Sequence, residues 1–293
     1  MKTAVIDIGS NTIKLDIFKL SGKDIEPISS RSEKGALARH TKDGFLTNEG
    51  YDILKSILER FLITAVSDGC EKTYVFATQS LRGISNACEV IEKIKEALGV
   101  TIEIISGEDE ALCSTNALML DCPDAVNGIM ADMGGGSLEL VEFENRTAKN
   151  ICSLPLGALR VKEQLNISTV LTSSDEEKIT HHVLSQLKNF PVTDKDTIYL
   201  IGGTARCIFS LCFDKKTEIS VLDAEKAYSF LSSGGEETAL MLMQKLPKRA
   251  DNFMTGFYIF NIVCKYYGVK KIVLCKRSVR DGYLLKKAEN KNI

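Results

Sequence analysis

Val5-Ile6-Asp7-Ile8-Gly9-Ser10-Asn11-Thr12-Ile13-Lys14-Leu15-Asp16-Ile17-Phe18 and Met130-Ala131-Asp132-Met133-Gly134-Gly135-Gly136-Ser137-Leu138-Glu139-Leu140-Val141-Glu142-Phe143 follow one pattern. Asp, Gly, Leu and Phe recur in register, with the second copy 125 positions after the first. Each copy reads as an apolar strand ending in an acid, a tight turn, and an alternating strand leading away. Because one copy opens each half of the chain, the pattern points to duplication and two related domains.

Working outward, an extended piece near 24–30 continues the first meander. Ile53, Leu54, Ile57, Leu58, Phe61 and Leu62 then recur at helical spacing behind Thr47, a side chain suited to an N-cap. A short strand follows at Thr73–Ala77, then a helix through Val90–Leu98 stopped by Gly99, a strand at Thr101–Ile105, and a helix start at Ser106-Gly107-Glu108-Asp109. This βαβα alternation predicts a largely parallel sheet. The second half predicts a helix around 174–189, a strand at Thr197–Leu200 and helices near 203–212, 223–232, 235–246 and 251–267. A strand at 271–275 and a terminal helix complete it. No low-complexity linker separates the halves, so they are expected to abut across a cleft. The expected domains are 1–120 and 121–280, with the terminal helix 281–293 packing back on the first.

The turns are where chemistry is expected. Glycine lets backbone N–H groups approach a phosphate with no Cβ in the way, so two such turns could clamp a phosphate chain. Asp7 and Asp132 would then repel the phosphates unless Mg²⁺ lay between them. The plainer reading of either copy alone is a hairpin closed by Asp-x-Gly. Gly134-Gly135-Gly136-Ser137 is the most specific turn, since three glycines weaken a fold unless φ > 0 or close approach demands them. Glu139, two residues past Ser137, could aim into the same site. Glu108, Asp109 and Glu110 suit a helix start through the helix dipole alone, although a carboxylate there could also deprotonate a water. Arg82, after the strand at 73–77, can bind phosphate with two parallel hydrogen bonds, and Arg160 and Arg206 occupy comparable positions. Singly, each is more often a surface arginine than a ligand. The basic run from Lys270 to Arg280 reads as a solvated face.

Composition narrows the classes. Lys plus Arg (37) and Asp plus Glu (39) nearly cancel, giving a net charge of -2. Nothing in that balance recruits nucleic acid, so a polyanion would have to be held at a local cationic site. Nine cysteines without a C-x-x-C pair indicate neither a disulfide framework nor a zinc site, and favour reduced thiols in the cytoplasm. No run approaches a membrane span, and Asp7 interrupts the place where a secretory signal needs its apolar stretch.

The motifs AVIDIGSNTIKL (4–15), ATQSLR (77–82), EIISGEDEA (103–111), ADMGGGSLELV (131–141), SLPLGALR (153–160), LIGGTAR (200–206), RADNFMTG (249–256) and VRDGYLL (279–285) run collinearly over nearly the whole chain. In that order they resemble the exopolyphosphatase / guanosine pentaphosphate phosphohydrolase (Ppx/GppA) family, in its short two-domain type. The resemblance implies an α/β protein of actin-like ATPase (ribonuclease H-like) fold, with duplicated mixed sheets flanked by helices. It implies a Mg²⁺- or Mn²⁺-dependent hydrolase acting on inorganic polyphosphate or guanosine pentaphosphate, and a homodimer. By position, Glu110 matches the glutamate that activates water and Arg82 a phosphate-binding arginine. Asp132 and Glu139, with Asp7, match acids around the metal. Gly9, Ser10, Asn11 and Gly134–Ser137 match the phosphate-cradling hairpins, joined by Arg160, Gly203 and Thr204 as phosphate contacts. Gly83, Leu112, Cys113, Leu138 and the loop Gly35–Gly44 depart from the family pattern, which bears on substrate fit. A kinase or ATPase of the same superfamily, and a non-catalytic sensor of polyphosphate or an alarmone, are the competing expectations.

Overall fold

The computed structural model describes residues 1–22, 24–188, 190–191 and 193–289. Its chain divides into two compact units, one of Met1–Cys113 with the chain from Arg280, the other Ser114–Val279.

The first unit begins with β1 (Lys2–Ile8), β2 (Thr12–Ser21) and β3 (Asp24–Lys34), followed by the short hairpin β4 (Thr41–Lys42) and β5 (Phe45–Leu46). Helix α1 (Asn48–Ser67) leads to β6 (Lys72–Ala77), α2 (Gln79–Arg82), α3 (Ala87–Leu98), β7 (Ile102–Ile104) and α4 (Gly107–Asp121). The main sheet has the order β3-β2-β1-β6-β7. Its β1 pairs antiparallel with β2 but parallel with β6, so the sheet is mixed where strand–helix alternation predicted a largely parallel one. The two-strand meander accounts for the difference, since a tight turn can only join antiparallel neighbours.

Local chemistry sets the element ends. Thr47 caps α1, its hydroxyl accepting from the Gly50 N–H at 3.2 Å, and Gly99 closes α3 at φ 70°. Leu54, Ile57, Leu58, Phe61 and Ala65 form the buried stripe of α1 and join Ala4, Ile6, Ile8, Ile13, Leu15 and Ile17 of the sheet in one core. The period of two sends Val5, Asp7 and Phe76 to the opposite face. There the terminal helix α11 (Val279–Glu289) packs, Tyr283 stacking on Phe76 with ring centroids 4.5 Å apart.

The second unit contains β8 (Gly128–Met133), β9 (Leu138–Glu144), β10 (Thr147–Leu154), α5 (Ala158–Leu165), α6 (Ser173–Leu187) and β11 (Thr197–Ile201). It continues with α7 (Gly202–Cys212), β12 (Glu218–Ser220), α8 (Val221–Ser233), α9 (Gly235–Lys245), α10 (Ala250–Tyr267) and β13 (Lys271–Leu274), and the chain ends its described course in α11 (Val279–Glu289). Strand β10 and helix α5 are additions to the sequence expectation. Position 189 of the expected 174–189 helix and positions 290–293 of the expected terminal helix lie outside the described residues.

The second sheet runs β10-β9-β8-β11-β13-β12, so its first five strands repeat the order and directions of the first sheet. The duplication read from two short stretches thus extends to the whole sheet. Helix α10 is buried on nearly every side and packs against α5, α6, α7, α8 and α9, as its continuous apolar sequence requires. This is the two-domain actin-like ATPase fold. Among the described residues no helix is long and apolar enough to cross a membrane.

Candidate active site

The two copies of the Asp-x-Gly turn share one geometry. The Gly9 N–H donates to the Thr12 carbonyl at 3.2 Å, and the Gly134 N–H to the Ser137 carbonyl at 3.0 Å. Asp7 stands opposite Lys14 across the β1–β2 pair, and Asp132 opposite Glu139 across β8–β9. Among the described residues the amide N–H groups of Ser10, Asn11, Gly135 and Gly136 meet no acceptor, so both bends present donors of the kind that hold phosphate. The first bend is fixed from behind. The Asn11 carbonyl accepts from Gly35 and Ala36, and the Ser10 carbonyl from Ala38.

None of Gly134, Gly135 and Gly136 has positive φ. A Cβ on Gly134 would meet only an ordinary contact, the Ser137 carbonyl at 3.7 Å, and the close approach falls on Gly157 instead. A Cβ on Gly157 would lie 2.4 Å from the backbone of Gly135 and Gly136, and α5 begins by donating from Ala158 to the Gly134 carbonyl and from Arg160 to the Gly135 carbonyl. Leu138, the departure from the family turn, is fully buried in the core of the second unit.

In the first unit, β6 delivers Arg82 through the single turn α2, and α4 carries Glu110 in its first turn. Ser106 caps α4 by accepting from the Asp109 N–H at 3.0 Å. Arg82 Nη1 lies 3.2 Å from Glu110 Oε2 and also donates to the Ile105 carbonyl at 3.0 Å, while Nη2 donates to Gln79 Oε1 at 3.1 Å. The expected water-activating carboxylate and phosphate-binding guanidinium are therefore neighbours, Glu110 buried and Arg82 partly so. Lys286 of α11 donates to Asp109, and the pair holds the Asp109 carboxyl below its usual range. The same helix secures β7, with Tyr283 donating to Glu103 at 2.5 Å and Lys287 paired to it at 2.7 Å.

In the second unit, Asp132 and Glu139 share one sheet face and both are buried. The Ser114 hydroxyl donates to Asp132 Oδ2 at 2.6 Å and the Ser153 hydroxyl to Glu139 Oε1 at 2.8 Å. Gly202, at φ 92°, leaves room for Asp132, since a Cβ there would fall 2.5 Å from Asp132 Oδ1. Gly203 likewise makes room for Arg249, whose Nη2 lies 2.0 Å from where its Cβ would be. Arg249 belongs to the RADNFMTG motif (249–256), and sequence reasoning assigned it no role. Thr204 is inside the unit, its methyl group against Gly256 of α10. The Arg160 side chain is exposed, and Arg206 donates to the Lys276 carbonyl at 3.4 Å.

Sequence reasoning missed Arg280 and Asp16. The basic run ending at Arg280 was expected to be a solvated face, but Arg280 is 4% exposed, with Nη1 2.8 Å from Asp7 Oδ2 and Nε 2.5 Å from Asp16 Oδ2. The available signal was the apolar pattern Val279, Tyr283 and Leu284, which buries one face of α11 and takes position 280 with it.

Among the described residues no three His, Cys, Asp or Glu side chains converge into a protein cage for a metal. Asp132 and Glu139 nevertheless fit Mg²⁺ or Mn²⁺, hard cations that accept one or two carboxylates and complete their shell with water and phosphate oxygens.

Comparison with known proteins identifies the family and the fold. The Ppx/GppA phosphatase family model matches residues 17–291. Exopolyphosphatase 1 of Mycobacterium tuberculosis is 32% identical over 167 residues, which cover 56% of this chain and 48% of that protein, so the match spans about half the relative's length. A Ppx/GppA family member from Aquifex aeolicus superposes with a TM-score of 0.85 at 21% identity, covering 100% of this chain and 99% of that one. An exopolyphosphatase from Cytophaga hutchinsonii gives 0.87 at 19% identity, covering 99% and 98%. With the family model spanning nearly the whole sequence and the motifs seated in the matching fold, the chain belongs to the Ppx/GppA phosphatase family.

Proposed function

We propose that the chain is a cytoplasmic, divalent-metal-dependent phosphoanhydride hydrolase that releases terminal orthophosphate from inorganic polyphosphate. The observation that carries this reading is Glu110 held 3.2 Å from Arg82 at the first turn of α4. A carboxylate beside a guanidinium supplies a proton acceptor next to a phosphate anchor.

Water attacks the terminal phosphorus, and the bond from that phosphorus to its bridging oxygen breaks. The shortened chain leaves with the electron pair on that oxygen. Glu110 takes the proton of the attacking water, and Arg82 balances charge on the phosphoryl oxygens. The amide donors of each bend, Ser10 and Asn11 in the first unit and Gly135 and Gly136 in the second, suit phosphate oxygens whatever lies further along a phosphate chain. Asp132 and Glu139 would hold Mg²⁺ or Mn²⁺, which when bound draws charge from the phosphate oxygens. Guanosine pentaphosphate offers the same type of terminal bond and is the second substrate class.

The test is phosphate release with Mg²⁺ from polyphosphates of several lengths, guanosine pentaphosphate and ATP, comparing wild type with Glu110→Gln. Polyphosphate is expected to give the highest kcat/KM, and the variant to lose roughly 10²-fold or more in turnover while still binding substrate, as for a lost general base. Full turnover by the variant would reject Glu110 as the base. Phosphate transfer from ATP to an acceptor would reject the hydrolase.

A further inference from the structure

Asp7 and Asp132 occupy equivalent positions of the duplicated hairpin, yet the two copies surround them differently. Lys14 stands where the second copy has Glu139, and Asp16 where it has Val141. Asp7, Lys14 and Asp16 lie on the face of the first sheet that α11 covers, because Asp7 pairs with Lys14, Val5 pairs with Asp16, and side chains alternate along each strand. Two carboxylates on a covered face need a counter-charge, since an unpaired buried charge is among the costliest features a fold can hold.

Arg280 supplies it. Asp7 is 7%, Asp16 8% and Arg280 4% exposed, and the guanidinium reaches both acids through separate nitrogens. Burial alone would lower the Arg280 pKa, and the attraction of Asp16 and Asp7 outweighs it and holds the value above normal. A planar fork with fixed charge suits this bridge in a way a lysine would not.

We infer that Arg280 is a built-in cation at the first hairpin, so that Asp7 positions the Gly9–Asn11 bend and the chain has one divalent-metal set, Asp132 with Glu139. The inference rests on the functional reading above and refines it. A divalent ion at Asp7 would have to share a carboxylate with a guanidinium already within hydrogen-bonding distance, in a site where little water screens the repulsion. In the second copy the hydroxyls of Ser114 and Ser153 donate to the acids, contacts that orient a carboxylate and bring no charge of their own.

Counting bound Mn²⁺ by loss of the free-ion paramagnetic resonance signal tests this on the full chain. Wild type is expected to bind one Mn²⁺. Asp7→Asn should keep that ion with an affinity within about threefold, and Asp132→Asn should weaken it more than about tenfold, the range seen when a metal's supporting groups are lost. Two ions per chain, or a tenfold loss in Asp7→Asn, would overturn the inference, as would a wild type that binds none. A double-mutant cycle of Asp7→Asn and Arg280→Gln, read by thermal unfolding, checks the pair without any metal. The double variant should be more stable than the sum of the single losses, and strict additivity would overturn the ion pair. Two bound ions with phosphate release intact would sink the inference alone. One bound ion with no release from any phosphoanhydride would sink the functional reading alone.

Discussion

Glu110 Oε2 and Arg82 Nη1 meet at 3.2 Å, although one residue opens α4 and the other closes α2. Two further N–H groups of Arg82 are held by the Ile105 carbonyl and by Gln79, so its plane is fixed before any phosphate arrives, while Nε and one N–H of Nη2 remain for it. Arg82→Lys keeps the charge and loses the fork. We expect KM for polyphosphate to rise roughly 10- to 100-fold, the scale of one or two charge-assisted hydrogen bonds at about 1.5–3 kcal/mol. A KM within twofold of wild type would remove Arg82 from phosphate binding.

Ser114 gives its hydroxyl hydrogen to a carboxylate that is 9% exposed. Removing the donor in Ser114→Ala leaves that oxygen of Asp132 short of a hydrogen bond inside the second unit. Urea unfolding should show a loss of roughly 1–3 kcal/mol. No measurable loss would mean that water takes the place of the hydroxyl.

Gly202 and Gly69 both have positive φ, 92° and 74°, but only Gly202 would press a Cβ onto a neighbour, whereas Gly69 has open space around it. Gly69→Ala isolates the backbone cost, about 1 kcal/mol. Gly202→Ala should cost about 1–3 kcal/mol more through crowding of Asp132, and should weaken Mn²⁺ binding as well. Equal melting temperatures for the two variants would contradict the contact.

Lys286 and Asp109 are 38% and 40% exposed, so water screens their pair and its contribution is about 0.5 kcal/mol. The hydrogen bond from Lys286 pulls the Asp109 pKa down in the folded chain, and the bond to Asp109 pushes the Lys286 pKa up. The Asp109 share is present above its unfolded value of about 3.9 and disappears as pH falls through the depressed folded value. The Lys286 share is present below its unfolded value of about 10.4 and disappears as pH rises through the raised one. The stability gap between wild type and Lys286→Ala should therefore be flat through neutral pH and close at both extremes. A gap that grows toward acid would reverse the sign of the argument.

Burial pushes the thiols of Cys113, Cys152 and Cys264 up to about 12, and Cys88 alone is exposed among the nine free cysteines. Alkylation of the native chain near pH 8, followed by mass spectrometry, should label Cys88 first and leave those three unmodified until unfolding. Early labelling of Cys264 would show that α10 opens in the native state.

What was legible in the sequence was what depends on local pattern. The Asp-x-Gly repeat, the Thr47 cap, the Gly99 stop and the stripe of α1 are each decided within a few residues, and each appears where its chemistry puts it. The collinear motifs added the family and its fold. What remained hidden depends on partners distant in sequence. The mixed pairing of β1 follows from which neighbours the strand finds, not from its own residues. Arg280 looks like one more charge in a basic run until α11 covers the sheet face that carries Asp7 and Asp16. The three glycines before Ser137 suggested positive φ or close approach; none has positive φ, and the close approach belongs to Gly157 of another element, whose Cβ would strike the Gly135 and Gly136 backbone. Arg249 was equally unreadable, because its place over Gly203 is set by the end of a helix some forty positions later.

The closure of the first unit by the chain from Arg280 onward bears on how the protein is made. A ribosome releases the whole of Ser114–Val279 before the residue that neutralises Asp7 and Asp16 emerges. The earlier-synthesised unit therefore waits, its sheet lacking one cover, until α11 arrives.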